Sequence, residues 1–150
     1  MKKRNFDEKQ DYRAYLYRLL TSRVYTEHEV AERLVQKGAD RDEARKLAEE
    51  FRELGFIDDE AYARLFADSH DNWGSARIRY ELRRRKVAED KISLALGDTD
   101  EIEKAKPLVE NWAASGLEWQ KIASRLMRRG FSSRTIGALK QDEEDEGSYW

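Results

Sequence analysis

Apolar residues recur along this chain at intervals of three and four, and glycines punctuate the series at nearly regular distances. Tyr12, Tyr15, Leu16, Leu19 and Leu20 follow i, i+3, i+4, i+7, i+8, one face of a helix across 11–24. Thr26-Glu27-His28-Glu29 has the form of a capping box and predicts a second helix with Val30, Ala31, Leu34 and Val35 inward, ended by Gly38. Asp40-Arg41-Asp42-Glu43 reads as a similar start for a third helix, whose inner face is Ala44, Leu47, Ala48, Phe51 and Leu54. Gly55 stops it. Asp58 predicts the next N-cap, with Tyr62, Leu65, Phe66 and Ser69 on one face. Trp73-Gly74 marks a turn, after which Ser75 is expected to cap a helix with Ile78 and Leu82 inward. A short helix carrying Ile92, Ala95 and Leu96 ends at Gly97. The last third opens at Thr99 with Ile102, Ala105, Val109, Trp112 and Ala113. Pro107 in their midst predicts a kink or a fresh helix start. After Gly116 come Trp119, Ile122, Ala123 and Leu126, then Gly130, and Ser132 or Ser133 caps a final helix with Ile136 and Leu139.

These segments align on Leu34, Leu82 and Leu126. Val30, Ile78 and Ile122 stand four positions before the anchors, and Lys37, Arg85 and Arg129 three after. Ala39, Val87 and Phe131 follow at five, and Ala44, Ile92 and Ile136 at ten. Amphipathic helices share the first spacing by default, so the basic +3 position and the +5/+10 pattern carry the argument for a repeat. The expected fold is all-α: three tandem three-helix modules at 11–55, 56–97 and 98–140. Residues 1–10 are expected to be a flexible segment and 141–150 an acidic tail without regular structure.

Composition alters this picture in one respect. Charged residues make up 40% of the 150, yet 4 Trp, 7 Tyr and 5 Phe argue against disorder. The absence of cysteine excludes a disulfide framework, a thiolate nucleophile and a Cys-based zinc site. MKKRNFDEKQ lacks the apolar run of a signal peptide, and no window has the length of a membrane span, so a cytoplasmic monomer is expected. The formal net charge is −2, but the last ten residues hold five acidic groups and no basic one. Without those five, the remainder carries +3.

The basic charge concentrates on the helix at 76–86. Residues 74–91 carry seven basic groups against Glu81, Glu89 and Asp90. Around this helix Arg77 and Arg84 point one way and Arg79, Arg83 and Lys86 another, which makes a broad basic sector. The third module repeats it with Lys121, Arg125, Arg128 and Arg129, whereas Arg33 and Lys37 in the first are offset by Glu27, Glu29 and Glu32. A solvated charged face is the ordinary fate of such a run. Its recurrence in register and its sparse acidic residues favour a polyanion or an acidic protein surface instead, with phosphate-directed, salt-sensitive DNA binding. The expected contact residues are Arg77, Arg79, Arg83, Arg84, Arg85 and Lys86, with Arg125, Arg128 and Arg129 secondary.

Other chemistry is thin. His28 and His70 are far apart, His70 between Asp68 and Asp71 is a weak metal signal, and Asp58-Asp59-Glu60 is explained by helix capping. There is no phosphate loop and no nucleophile elbow, and no cofactor, metal or catalysis is expected. Trp73, Trp112 and Trp119 read as packing between helices, with base stacking as the minority role. The acidic tail could compete with DNA for the basic face.

The stretch Gly55-Phe56-Ile57-Asp58-Asp59, Tyr62-Ala63, Phe66, Gly74, Arg77-Ile78 and Leu82 resembles the RecX family of recombinase regulators. Tyr15 to Leu54 and Glu118 to Ile136 fit as well. The chain departs from the family at Lys86, where glycine usually closes the helix, which leaves that helix free to run longer. The resemblance implies tandem three-helix modules forming an elongated curved array, which binds the RecA recombinase in the groove of its filament on DNA. It implies inhibition or destabilisation of that filament, with lower ATP hydrolysis and strand exchange, and no enzymatic activity. A plain DNA-binding helical module and a scaffold for an acidic protein are the rival readings.

Overall fold

The structure, a computed structural model, describes residues 6–147. Among them are nine α-helices and no strand: α1 (Phe6–Ser22), α2 (Glu27–Gln36), α3 (Arg41–Glu53), α4 (Asp59–Asp68), α5 (Ser75–Arg84), α6 (Glu89–Leu96), α7 (Glu101–Ala114), α8 (Trp119–Arg128) and α9 (Ser133–Gly147). The expected all-α fold is therefore present. The chain forms two compact units: residues up to Tyr62 together with Arg85–Val87, and Ala63–Arg84 together with Ala88 onward.

In the first unit α2 packs on α3. Leu16, Val30, Leu34, Ala44, Ala48 and Phe51 are almost wholly buried in one cluster. Thr26 caps α2 as the sequence predicts: its hydroxyl accepts from the Glu29 N–H at 3.1 Å, and the Glu29 carboxylate accepts from the Thr26 N–H at 2.9 Å. Tyr17, Phe51 and Phe56 form an aromatic triple with centroids 5.1 to 5.6 Å apart. In the second unit α7, α8 and α9 pack on one another around Ala105, Val109, Ile122, Leu126, Phe131 and Leu139, and α5 packs on α6.

The repeat register is visible in burial. Leu34, Leu82 and Leu126 are completely buried, and Val30, Ile78 and Ile122 nearly so. Ala39, Val87 and Phe131 are buried too, as are Ala44, Ile92 and Ile136. Four positions after each anchor the backbone turns left-handed: Gly38 at φ 110°, Lys86 at φ 60° and Gly130 at φ 90°. At Gly38 the Ala39 N–H donates to the Leu34 carbonyl, and at Gly130 the Phe131 N–H donates to the Leu126 carbonyl, so each closes its helix in the same way. Lys86 holds this conformation with a Cβ, at a cost of roughly 1 kcal/mol. Consequently α5 stops at Arg84 and does not run longer.

Several expectations need correction. Residues 6–10, expected to be flexible, begin α1. Residues 141–147, expected to lack regular structure, continue α9, supported by Lys140–Glu144 and Gln141–Asp145 contacts one turn apart. Residues 1–5 and 148–150, including Trp150, lie outside the described residues. Of the two outcomes expected at Pro107, the fresh helix start does not occur: α7 runs through it, and Pro107 is exposed, so the carbonyl left without a donor can be hydrated. Asp100 rather than Thr99 starts α7, accepting from the Glu103 N–H at 3.2 Å. Asp40 makes no side-chain cap, and Ser75 is the first helical residue of α5 rather than its cap. The buried face of α4 is Ala63 and Ala67, while Leu65 is exposed; Leu54 after α3 is exposed as well.

Candidate functional site

Inside the second unit the start of α5 is pressed against the turn between α8 and α9. The Gly74 N–H donates to the Arg129 carbonyl at 2.7 Å, and the Ala76 N–H to that of Gly130 at 3.3 Å. The approach needs glycine on both sides. A Cβ on Gly74 would lie 2.3 Å from the Gly130 carbonyl carbon and oxygen, and one on Gly130 would lie 2.5 Å from the Arg77 Cβ. Glu101, in the first turn of α7, locks the junction from below. Its carboxylate accepts from the Ser75 N–H at 2.7 Å, the Ser132 N–H at 3.3 Å and the Thr135 hydroxyl at 2.9 Å. One side chain thus serves the N-termini of both α5 and α9. Burial, the largest influence, pushes the Glu101 carboxyl up, but the hydrogen bonds from Ser75, Thr135 and Ser132 together hold it below the usual glutamate range.

Above this junction lies an open pocket of about 570 Å³ lined by Asn72, Trp73, Arg77, Arg125, Arg128 and Arg129. Arg77 comes from the first turn of α5, Arg125 and Arg128 from the last turn of α8, and Arg129 follows them. Trp73 and Trp112 hold three of the guanidiniums. Arg77 lies 3.9 Å over the Trp73 ring, and Arg125 and Arg129 lie 5.4 and 5.2 Å from the centre of Trp112. Arg129 also donates to the Asn72 carbonyl at 3.3 Å and Arg128 to that of Ser124 at 3.4 Å. Among the described residues, no carboxylate pairs with any of the four.

The rest of the predicted run is placed differently. Arg79 and Arg83 both reach Glu89 at the start of α6, Arg79 at 3.0 Å and Arg83 through Nε. The hydrogen bond from Arg83 is the main reason the Glu89 carboxyl sits below its ordinary value, and Glu89 in turn raises Arg83. Arg84 lies 3.4 Å from Glu81. The acidic residues of the stretch therefore neutralise much of the run, contrary to the expectation that they were too sparse. Arg85 belongs to the first unit. Its carbonyl accepts from the buried Thr26 hydroxyl at 3.3 Å, and its side chain hydrogen-bonds Tyr62. The Tyr62 hydroxyl is held above its usual range, chiefly by burial. Lys86 is exposed at the left-handed position.

Asn72 and Trp73 were not among the expected contact residues; Trp73, read as packing, packs on His70 and also lines the pocket. A signal was present: Trp73 stands four residues before Arg77, the spacing that stacks side chains along a helical turn. His70 stacks on Trp73 with ring centres 4.0 Å apart and lies tilted against Phe66 at 4.2 Å. Its Nδ1 lies 2.7 Å from the Phe66 carbonyl oxygen. Asp58 accepts from the Ala61 N–H at 3.1 Å and Asp59 from the Glu27 N–H at 2.9 Å, so both cap helices. Among the described residues no three His, Cys, Asp or Glu side chains gather as a metal site, and no helix is long and apolar enough to cross a membrane.

The family model described as "RecX, second three-helix domain" matches residues 58–96. The regulatory protein RecX of Trichlorobacter lovleyi is 35% identical over 136 residues, 81% of this chain and 88% of that protein. That of Halorhodospira halophila is 32% identical, covering 86% of this chain and 87% of its own length. Among solved structures, RecX from Lactobacillus salivarius superposes with a TM-score of 0.79 at 23% identity, over 91% of this chain and 96% of that one. A second crystal structure of regulatory protein RecX gives 0.74 at 25% identity, over 94% and 81%.

Proposed function

Because the chain belongs to the RecX family of regulatory proteins, we propose that it binds the RecA filament on DNA and restrains its ATP hydrolysis and strand exchange, without catalysis of its own. The observation that carries this is the group of four guanidiniums at Arg77, Arg125, Arg128 and Arg129, gathered without a carboxylate partner among the described residues. An unneutralised cluster of this kind suits the phosphates and acidic patches of a nucleoprotein filament. The reading takes the chain as a monomer of three modules, 11–55, 56–97 and 98–140, working in the cytoplasm. Of the residues first assigned, Arg77, Arg125, Arg128 and Arg129 become the principal contacts. Arg79, Arg83, Arg84 and Lys86 supply a secondary basic surface, and Arg85 supports the fold.

The test is ATP hydrolysis by RecA on single-stranded DNA, with this protein titrated in below stoichiometry. Strong inhibition by the wild type, lost in an Arg77→Glu/Arg128→Glu variant, is the expected result. No effect at any ratio, with binding to bare DNA intact, would replace this reading with a plain DNA-binding module.

A further inference from the structure

The nucleic-acid side of the reading above can be narrowed to a defined seat. We propose that the pocket lined by Trp73, Arg77, Arg125, Arg128 and Arg129 binds adjacent phosphate groups of a single nucleic-acid strand, through the backbone alone. Four like charges meet there, and among the described residues no carboxylate pairs with them to relieve their repulsion. Each guanidinium has five N–H donors, and the contacts to Asn72, Ser124 and the tryptophan rings occupy only a few of them. Those same contacts hold the forks in place, so less freedom is lost when an anion binds. A volume of 570 Å³ falls within the range of about 300–1,000 Å³ typical of small-ligand sites, roomier than one phosphate requires.

The chemistry favours phosphate over an acidic peptide. A carboxylate brings two oxygens, whereas successive phosphates bring several acceptors spread along a strand, matching forks drawn from two helices. Base stacking is excluded at Trp73. His70 is stacked 4.0 Å from its ring and Arg77 lies 3.9 Å over it, and two planar groups so close cannot share one face. Both faces are therefore taken, and the seat should ignore base identity.

The experiment measures anisotropy of a fluorescein-labelled oligodeoxythymidine with the full chain. Arg77→Ala/Arg128→Ala is compared with Arg79→Ala/Arg83→Ala, which removes the same charge from the Glu89-paired run. Losing about tenfold per arginine, the pocket variant should bind roughly 100-fold more weakly. Its salt slope should drop by about 1.4, at roughly 0.7 per phosphate contact on a single strand, while the paired variant stays within about threefold of wild type. Pyrophosphate should displace the oligomer from the wild-type chain, and oligodeoxyadenosine should bind as well as oligodeoxythymidine. Equal losses in the two variants would overturn the seat and leave a diffuse basic face. Binding of polyglutamate that alone depends on Arg77 and Arg128 would assign the pocket to acidic protein and overturn it too. No binding of any oligomer by the wild type would remove the nucleic-acid side of the proposed function itself. If circular dichroism shows the double variant unfolded, Arg128→Glu alone, at an exposed position, gives the same reading.

Discussion

Arg77 and Arg83 lie on the same helix, six residues apart, and meet opposite surroundings. Arg83 shares Glu89 with Arg79 at the α5–α6 turn, so that part of the helix is close to neutral. Arg77 meets Trp73 and three further arginines, and no carboxylate among the described residues pairs with it. The difference shows that a run of basic residues is not one surface. What counts is whether the neighbouring element delivers a carboxylate or another guanidinium. α6 begins with Glu89, whereas α8 ends with Arg125 and Arg128. Exposed pairs such as Arg83–Glu89 add little to stability, but they do remove charge available to a partner.

The largest expected effect comes from forcing the pocket walls apart. Gly74→Ala should cost about 3 kcal/mol, because the new methyl meets backbone that cannot yield. It should also weaken DNA binding although no charge changes; an unchanged urea midpoint would refute the close approach. Glu101→Gln comes next, at about 2 kcal/mol, since a carboxamide nitrogen would face N–H and O–H donors. In the wild type the folded-state pKa of Glu101 is depressed, so its contribution is complete above the ordinary glutamate value and is lost as pH falls through the depressed one. Unfolding midpoints measured from about pH 6 down to pH 3 should fall more steeply in the wild type than in the Gln variant. Lys86→Gly should raise stability by about 1 kcal/mol by relieving the left-handed lysine, as thermal unfolding would register. The smallest effect sharpens the comparison most. Glu89→Gln frees Arg79 and Arg83, so oligonucleotide affinity at about 50 mM salt should rise roughly threefold. No rise would mean those arginines face away from the strand.

Much of this was legible in the sequence. Periodicity located the nine helices of the described residues and the anchors Leu34, Leu82 and Leu126, because burial on a helix follows spacing. Gly38 and Gly130 announced their left-handed turns, while Lys86 takes the same turn without glycine, visible only through its place in the repeat. The start of the acidic tail was misjudged because charge density was taken for disorder, although single-turn contacts suffice to extend α9. The pocket was half legible. Arg77, Arg125, Arg128 and Arg129 were named, but their meeting depends on Gly74 and Gly130 touching, a tertiary fact that helical spacing does not encode. The Glu89 pairings were hidden because the partner belongs to the next helix.

The Glu101 carboxylate also has a consequence for the order of folding. Ser75 lies 26 residues before it and Ser132 lies 31 after, so its three donors come together only once both flanking segments have closed over α7. Contacts between distant segments reward the chain after their loop-closure entropy has been lost. The carboxylate is thus the last fastener of the second unit rather than its seed. Its removal should quicken unfolding and leave the refolding rate nearly unchanged, a division that the two arms of a chevron plot separate.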